Sequence, residues 1–270
     1  MFHLPLNRVL HQTLSVAALS LLVACTTVPI TGRSQLSLVP ESEMQAMSFQ
    51  QYREVISKGK LSADAAATQQ VKTVGQRIQR AVETYMAQNN LSQELTGFQW
   101  EFNLLDSKEV NAWCMPGGKV AVYTGILPIM KDENGMAVVM GHEIAHAIAK
   151  HSSERASQAM VAQGLGSSLG ALAGQNPTTA KNVFLGAVGV GTQLKMLSFG
   201  RNQESEADRL GLIFMAMAGY DPHGAPTFWE RMAAQSQGAP PQFLSTHPSD
   251  ASRIAAINGH MTEAMTFYKK

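Results

Sequence analysis

The sequence predicts an α+β, mainly helical fold in which one long helix lies beside a small antiparallel sheet. Three observations predict it. Over residues 64–89 the apolar side chains Val71, Val74, Ile78, Val82, Tyr85 and Met86 recur at intervals of three and four, the spacing of a helix that buries one face. Over residues 98–124 the period shortens. Phe98, Trp100, Phe102 and Leu104 alternate there, and residues 119–124 form a β-type run behind the turn signal Pro116-Gly117-Gly118. From Asp132, a suitable N-cap, the helical period returns and continues to about Met160.

The remaining elements follow from local signals. Residues 1–24 stand outside the fold, because Arg8 precedes an apolar run, TLSVAALSLLVA, that has the length of a secretory signal core and is too short to span a bilayer. The run ends in Leu22-Val23-Ala24-Cys25, which resembles a bacterial lipoprotein signal cut before a cysteine that then carries lipid. Residues 25–40 are then an extended tether, held at a membrane by acyl chains on Cys25, and 41–270 the catalytic domain. A helix starts at the cap signal Pro40-Glu41-Ser42. Residues 161–194 are rich in Gly, Ala and Ser, with Lys181 as their one charge and Asn176-Pro177 interrupting any helix; they suit a lid or a helical hairpin. A further helix begins near Arg201 and ends at Gly219. Two more cover 225–234 and 249–260, with the loop GAPPQFLSTHP between them.

Composition excludes several functions. The formal net charge is +1, and removal of 1–24 takes away Arg8 and no acid, which leaves charge balanced. No basic stripe interleaved with aromatics is present, so nucleic acid is not an expected partner. Nucleotide is not expected either, since Gly117-Gly118-Lys119 has Trp113 where a phosphate loop needs its first glycine and Val120 where it needs Ser or Thr. Cys114 is the only cysteine besides Cys25, so a lipidated Cys25 leaves no intrachain disulfide, and Cys114 is expected to be a small buried hydrophobe.

Residues 139–151 read VMGHEIAHAIAKH. A helix turns about 100 degrees per residue, so His142 and His146 project from one face within reach of a single ion, with Glu143 beside them. A solvated face does not explain the small and apolar residues around them: Val138, Val139, Met140, Gly141, Ile144, Ala145, Ala147 and Ile148. A catalytic zinc needs a third protein ligand and an open position for water. The longer pattern that ends in a third histidine fails, because its glycine and histidine positions are Ala149 and Ser152. His151 is five residues past His146, about 140 degrees round the helix, so it faces away from the metal and is expected at the surface. The segment RNQESEADRLG offers Glu204, Glu206 and Asp208; Glu204 and Asp208 are one turn apart, so one could ligate while the other supports a histidine, and Glu206 would be a surface residue.

GHEIAHAIAKH, with NAWCMPGGKVAVYTGIL upstream and ESEAD and STHP downstream, resembles the zinc metallopeptidases that include the CAAX prenyl protease, HtpX and the mitochondrial OMA-type protease, and in outline their periplasmic lipoprotein branch of the BepA and LoiP kind. The resemblance covers nearly the whole chain after Cys25. It implies a zincin-type metalloprotease domain, one zinc ion per chain held by His142, His146 and Glu204, and Asp208 as the supporting carboxylate. Glu143 would be the catalytic base, and polypeptides the substrates. Thr26 after Cys25 points, by resemblance, to the inner leaflet of the outer membrane, facing the periplasm. The strand Lys119, Val120, Ala121, Val122 and Tyr123 is expected to be a sheet edge to which an extended, unfolded or misassembled substrate adds through its backbone. His247 in STHP could be a fourth ligand that keeps the enzyme latent. Its alternatives are a hydrogen-bond donor to the transition state or a residue at a helix N-terminus. Two readings compete: a lipoprotein chaperone or assembly factor whose zinc is structural, and a serine hydrolase through Ser168, Asp221 and His247. The second is weak, because no buried strand precedes Gly166-Ser167-Ser168-Leu169-Gly170.

Overall fold

The computed structural model describes residues 25–164, 169–189, 200–235, 241–247 and 251–269; residues 1–24, expected to be a signal segment, and Ser168 lie outside these residues. In chain order, β1 (Cys25–Thr27) and β2 (Ser34–Leu36) form a hairpin, followed by α1 (Glu41–Lys58), α2 (Ala65–Gln88), β3 (Glu101–Leu105), β4 (Ala112–Met115) and β5 (Lys119–Tyr123). Then come α3 (Leu127–Met130), α4 (Glu133–Ile148), α5 (His151–Ala162), α6 (Leu169–Gln175), α7 (Pro177–Val188), α8 (Arg201–Met217), α9 (Gly224–Ala234), α10 (Gln242–Thr246) and α11 (Ala251–Phe267).

The fold is mainly helical with a small sheet, as the periodicities predict. Asp64 caps α2 by accepting a hydrogen bond from Ala67 N–H, which contributes about 1 kcal/mol, and Val71, Val74, Ile78, Val82 and Met86 are buried along one face. Asp132 caps α4 in the same way through Gly135 N–H, and every α4 residue from Gly135 to Ile148 is buried. A helix buried on all sides belongs in the middle of a fold. Accordingly α4 packs against α2, α8, α9 and β4.

The sheet differs from the expectation in two respects. Its order is β3-β5-β4, with β3 parallel and β4 antiparallel to β5, so it is mixed rather than antiparallel. Lys119, Val120, Ala121, Val122 and Tyr123 are therefore the central strand, with both backbone edges already bonded, and cannot serve as the edge for substrate. The edge nearest α4 is β4. The turn before β5 is as predicted, with Gly117 and Gly118 at φ 81 and 84 degrees.

The helix expected to run from 132 to 160 is broken. α4 is capped at Ala149, Lys150 takes the left-handed conformation at φ 58 degrees, and α5 starts afresh at His151. The described part of the Gly-rich stretch is helical, α6 and α7 packing on each other and α7 on α5, with Asn176 capping α7 and Pro177 in its first turn. The segment before His247 is not a plain loop, since α10 leads directly into it. No described helix is long and apolar enough to cross a membrane.

Candidate metal centre

The two histidines project from the buried face of α4 toward the first turns of α8. What brings these helices close is glycine. A Cβ on Gly211 would lie 2.9 Å from the backbone nitrogen of His142, and one on Gly141 would lie 2.9 Å from the carbonyl oxygen of Gly211. Glu204 and Asp208 stand seven and three residues before Gly211, on the same face of α8, and so meet α4 at the histidines.

Four groups converge there. His142 Nε2 lies 3.0 Å from His146 Nε2 and 3.1 Å from His247 Nδ1; Glu204 Oε1 lies 2.9 Å from His247 Nδ1 and 3.3 Å from His146 Nε2. Ligands at about 2.0–2.1 Å from a tetrahedral ion are separated by about 3.3 Å, so these spacings are close to the edges of one coordination tetrahedron. Among the described residues His142, His146, Glu204 and His247 are the group able to hold a metal ion, and all four are buried.

Protonation states fit the same role. Burial lowers the pKa of His142 against the opposing pull of Asp208, and lowers that of His146 further, with His142 adding to the effect; both imidazoles stay neutral, as ligands must. Burial would raise the Glu204 carboxyl, but His247, Arg253 and His146 together hold it well below its ordinary value, so it is ionised. Burial opposes ionisation of Asp208 too, and there Arg253 and His142 prevail and hold the carboxyl low. His142 Nδ1–H donates to Asp208 Oδ1 at 2.9 Å, which leaves its Nε2 lone pair aimed at the cluster. The excess of carboxylate over guanidinium charge and the Nε2 atoms turned toward one another suit a divalent cation, so the donor set fits a metal.

Glu143 sits against this cluster with its Oε1 3.3 Å from His247 Nε2. Burial, reinforced by the charge of Glu204 and opposed by His247 and Arg253, pushes its carboxyl up to about 7, and the backbone N–H of Cys114 in β4 donates to it. Phe243 of α10 packs on the His247 ring with centroids 4.7 Å apart, and Trp229 of α9 packs edge-on against His142 at 5.4 Å.

The chain matches the sequence profile of peptidase family M48 over residues 72–261. The chain belongs to that family. As an M48 chain it carries a metalloprotease domain, and its relatives include the mitochondrial metalloendopeptidase OMA1 of Schizosaccharomyces pombe, 36% identical over 88% of this chain and 66% of the relative. The beta-barrel assembly-enhancing protease of Escherichia coli is 28% identical over 85% and 46% of the two chains, and human OMA1 27% identical over 88% and 46%. The chain spans between 35% and 66% of the length of the curated relatives it matches.

Two residues predicted for the surface of this M48 domain are buried at its centre. His151 is fully buried, its Nδ1 2.7 Å from His146 Nδ1 and its Nε2 2.8 Å from Glu206 Oε2. The break at Lys150 rotates His151 back toward α4. Glu206 is 7% exposed because residues 31–35 cover that side of α8, where Thr31 and Arg33 donate to its carboxylate. Sequence reasoning also missed Arg253. Its guanidinium holds both Asp208 oxygens at 2.8 Å, lies 2.6 Å from Glu204 Oε2, and stacks 3.5 Å above the Trp229 ring. The available signal was a lone cation among Ala251, Ile254, Ala255, Ala256 and Ile257. Cys114 is buried with its thiol pushed well up by burial, and Cys25 is exposed, both free.

Proposed function

We propose that the protein is a lipid-anchored zinc metalloendopeptidase of the bacterial periplasm, tethered through Cys25 to the outer membrane, that hydrolyses peptide bonds in unfolded or misassembled envelope proteins. His142, His146 and Glu204 hold one zinc ion, Asp208 orients His142, and Arg253 fixes the Asp208 and Glu204 carboxylates. The observation that carries this reading is the convergence of His142 Nε2, His146 Nε2 and Glu204 on one point beside the Glu143 carboxylate. When bound, zinc supplies Lewis-acid polarisation of the scissile carbonyl and favours ionisation of water. Glu143 accepts the proton of the attacking water and returns it to the departing amine. A site this buried admits a polypeptide only as an extended strand, which selects for unfolded chains. Support for the envelope setting comes from the Leu22-Val23-Ala24-Cys25 tetrad and from the likeness to a beta-barrel assembly-enhancing protease.

The fourth position belongs to His247, whose Nδ1 lies 3.1 Å from His142 Nε2 and 2.9 Å from Glu204 Oε1. A set of four protein ligands is the mark of a closed site, whereas catalysis needs one position free. His247 therefore keeps the enzyme latent until its imidazole leaves that position. The same four-ligand set favours a second reading, an assembly factor with structural zinc. Zinc analysis and casein cleavage by wild type, Glu143→Gln and His247→Ala separate the two. The protease reading expects Glu143→Gln to retain one zinc and lose cleavage at least about 100-fold, and His247→Ala to cleave faster than wild type. Zinc in all three chains with cleavage in none supports the assembly factor instead.

A further inference from the structure

The Asp208 carboxylate supports His142 directly, whereas the outer nitrogen of His146 meets a second histidine. If His146 presents its Nε2 lone pair to the metal, its Nδ1 carries the proton and donates to His151 Nδ1 across 2.7 Å. His151 must then carry its own proton on Nε2, which donates to Glu206 Oε2 at 2.8 Å. Glu206 in turn accepts from Thr31 Oγ1 and from Arg33 Nε, the latter at 2.6 Å, while Arg33 Nη1 lies 2.9 Å from Glu154 Oε2. Every proton in this chain has one consistent position, and it runs from the ligand to the N-terminal segment.

That segment is bound along α5 rather than loosely attached. Leu38 N–H donates to Ser157 Oγ at 2.9 Å, Ser153 Oγ donates to Glu41 at 2.8 Å, and Val28 and Val39 are buried. Its Arg33 is the part that reaches the relay.

We propose that His151 and Glu206 are positioning residues for the metal ligand His146, and that Thr31 and Arg33 of the N-terminal segment lock them, making this segment part of the metal site. The inference rests on the metal-site reading above. It gives each histidine a carboxylate support, Asp208 for His142 by contact and Glu206 for His146 through one imidazole. Outer supports of this kind commonly alter metal affinity by about 10–100-fold.

The test measures zinc dissociation constants by chelator competition, in the full chain, for wild type, Glu206→Gln, Arg33→Gln and the double variant, together with melting temperatures of the metal-free proteins. Glu206→Gln is expected to weaken zinc by about tenfold or more, and Arg33→Gln to weaken it less. The double variant is expected to bind zinc no more weakly than Glu206→Gln alone, because Arg33 acts on His146 only through Glu206. The cobalt-substituted variants should also show a shifted visible spectrum. Variants that melt lower without metal yet bind zinc within about twofold of wild type would assign these residues a purely structural role and overturn the proposal. Wild-type protein that takes up no zinc overturns the metal centre itself, and this inference with it; tight wild-type binding matched by all variants overturns this inference alone.

Discussion

The closeness of α4 and α8 at Gly211 can be tested by adding one methyl group. In Gly211→Ala the new Cβ would lie 2.9 Å from His142 N, 3.0 Å from Gly141 C and 3.1 Å from His142 Cα, all backbone atoms of a buried helix. Ordinary contact begins at 3.4 Å, so the helices must part by about 0.5 Å. Overpacking of this kind costs roughly 1–3 kcal/mol, and the better helix propensity of alanine returns about 1. The net loss is about 1 kcal/mol, which for a domain of this size lowers Tm by about 3 °C. The larger effect is on the site, since a shift of about 0.5 Å exhausts the tolerance of a positioned ligand set. Glu204 and Asp208 move with α8 while both histidines stay on α4. Zinc affinity, measured by chelator competition, is expected to fall about tenfold, with cleavage falling in parallel. Gly174→Ala is the control, because Gly174 lies in α6 with nothing within 4 Å of its Cβ position; it should be neutral or slightly stabilising and leave zinc binding unchanged. A Gly211→Ala chain as stable as wild type and equally avid for zinc would refute the claim that this crossing sets the ligand geometry.

Arg253→Met leaves the buried Asp208 and Glu204 carboxylates without their main cation, an imbalance that costs about 3–5 kcal/mol in the metal-free protein and should be visible as a large drop in Tm; an unchanged melt would show that the guanidinium is dispensable. Metal removal by a strong chelator is expected to lower Tm and zinc to restore it, by about 4 kcal/mol of stability at a thousandfold excess over Kd, whereas a chelator-insensitive melt would count against any bound ion. Glu143, raised from 4.5 to about 7 first by burial, must be ionised to accept a proton, so activity falls as pH drops through its pKa, and a bound divalent cation, by favouring the ionised form, moves this limb below pH 7. A kcat/KM profile with no acid limb anywhere from about pH 8 down to 4.5, the ordinary value of this carboxyl, would remove Glu143 from the base role.

Much of this architecture was legible because it is written in local spacing. The buried face of α2 and the pairs His142/His146 and Glu204/Asp208 each lie within a few turns of one helix, where periodicity alone decides which side chains share a face. What was misread depends on contacts far apart in sequence. The central position of β5 needs β3 to pair with the edge left free by the β4–β5 hairpin, and nothing in residues 119–123 records that choice. Glu206 looks like a surface residue until residues 31–35, more than 170 positions earlier, cover it. Helical periodicity carried past residue 149 puts His151 on the wrong side, because the break falls on Lys150, a lysine at φ 58 degrees with no glycine to signal it. That left-handed residue costs about 1–2 kcal/mol, which the fold sustains while Lys150 Nζ pairs with Glu94 at 2.6 Å and His151 bridges His146 to Glu206. The four converging side chains were readable because they come from short motifs, and the groups around them were not, because those are assembled only when the N-terminal segment, α5 and α11 close around the same two helices.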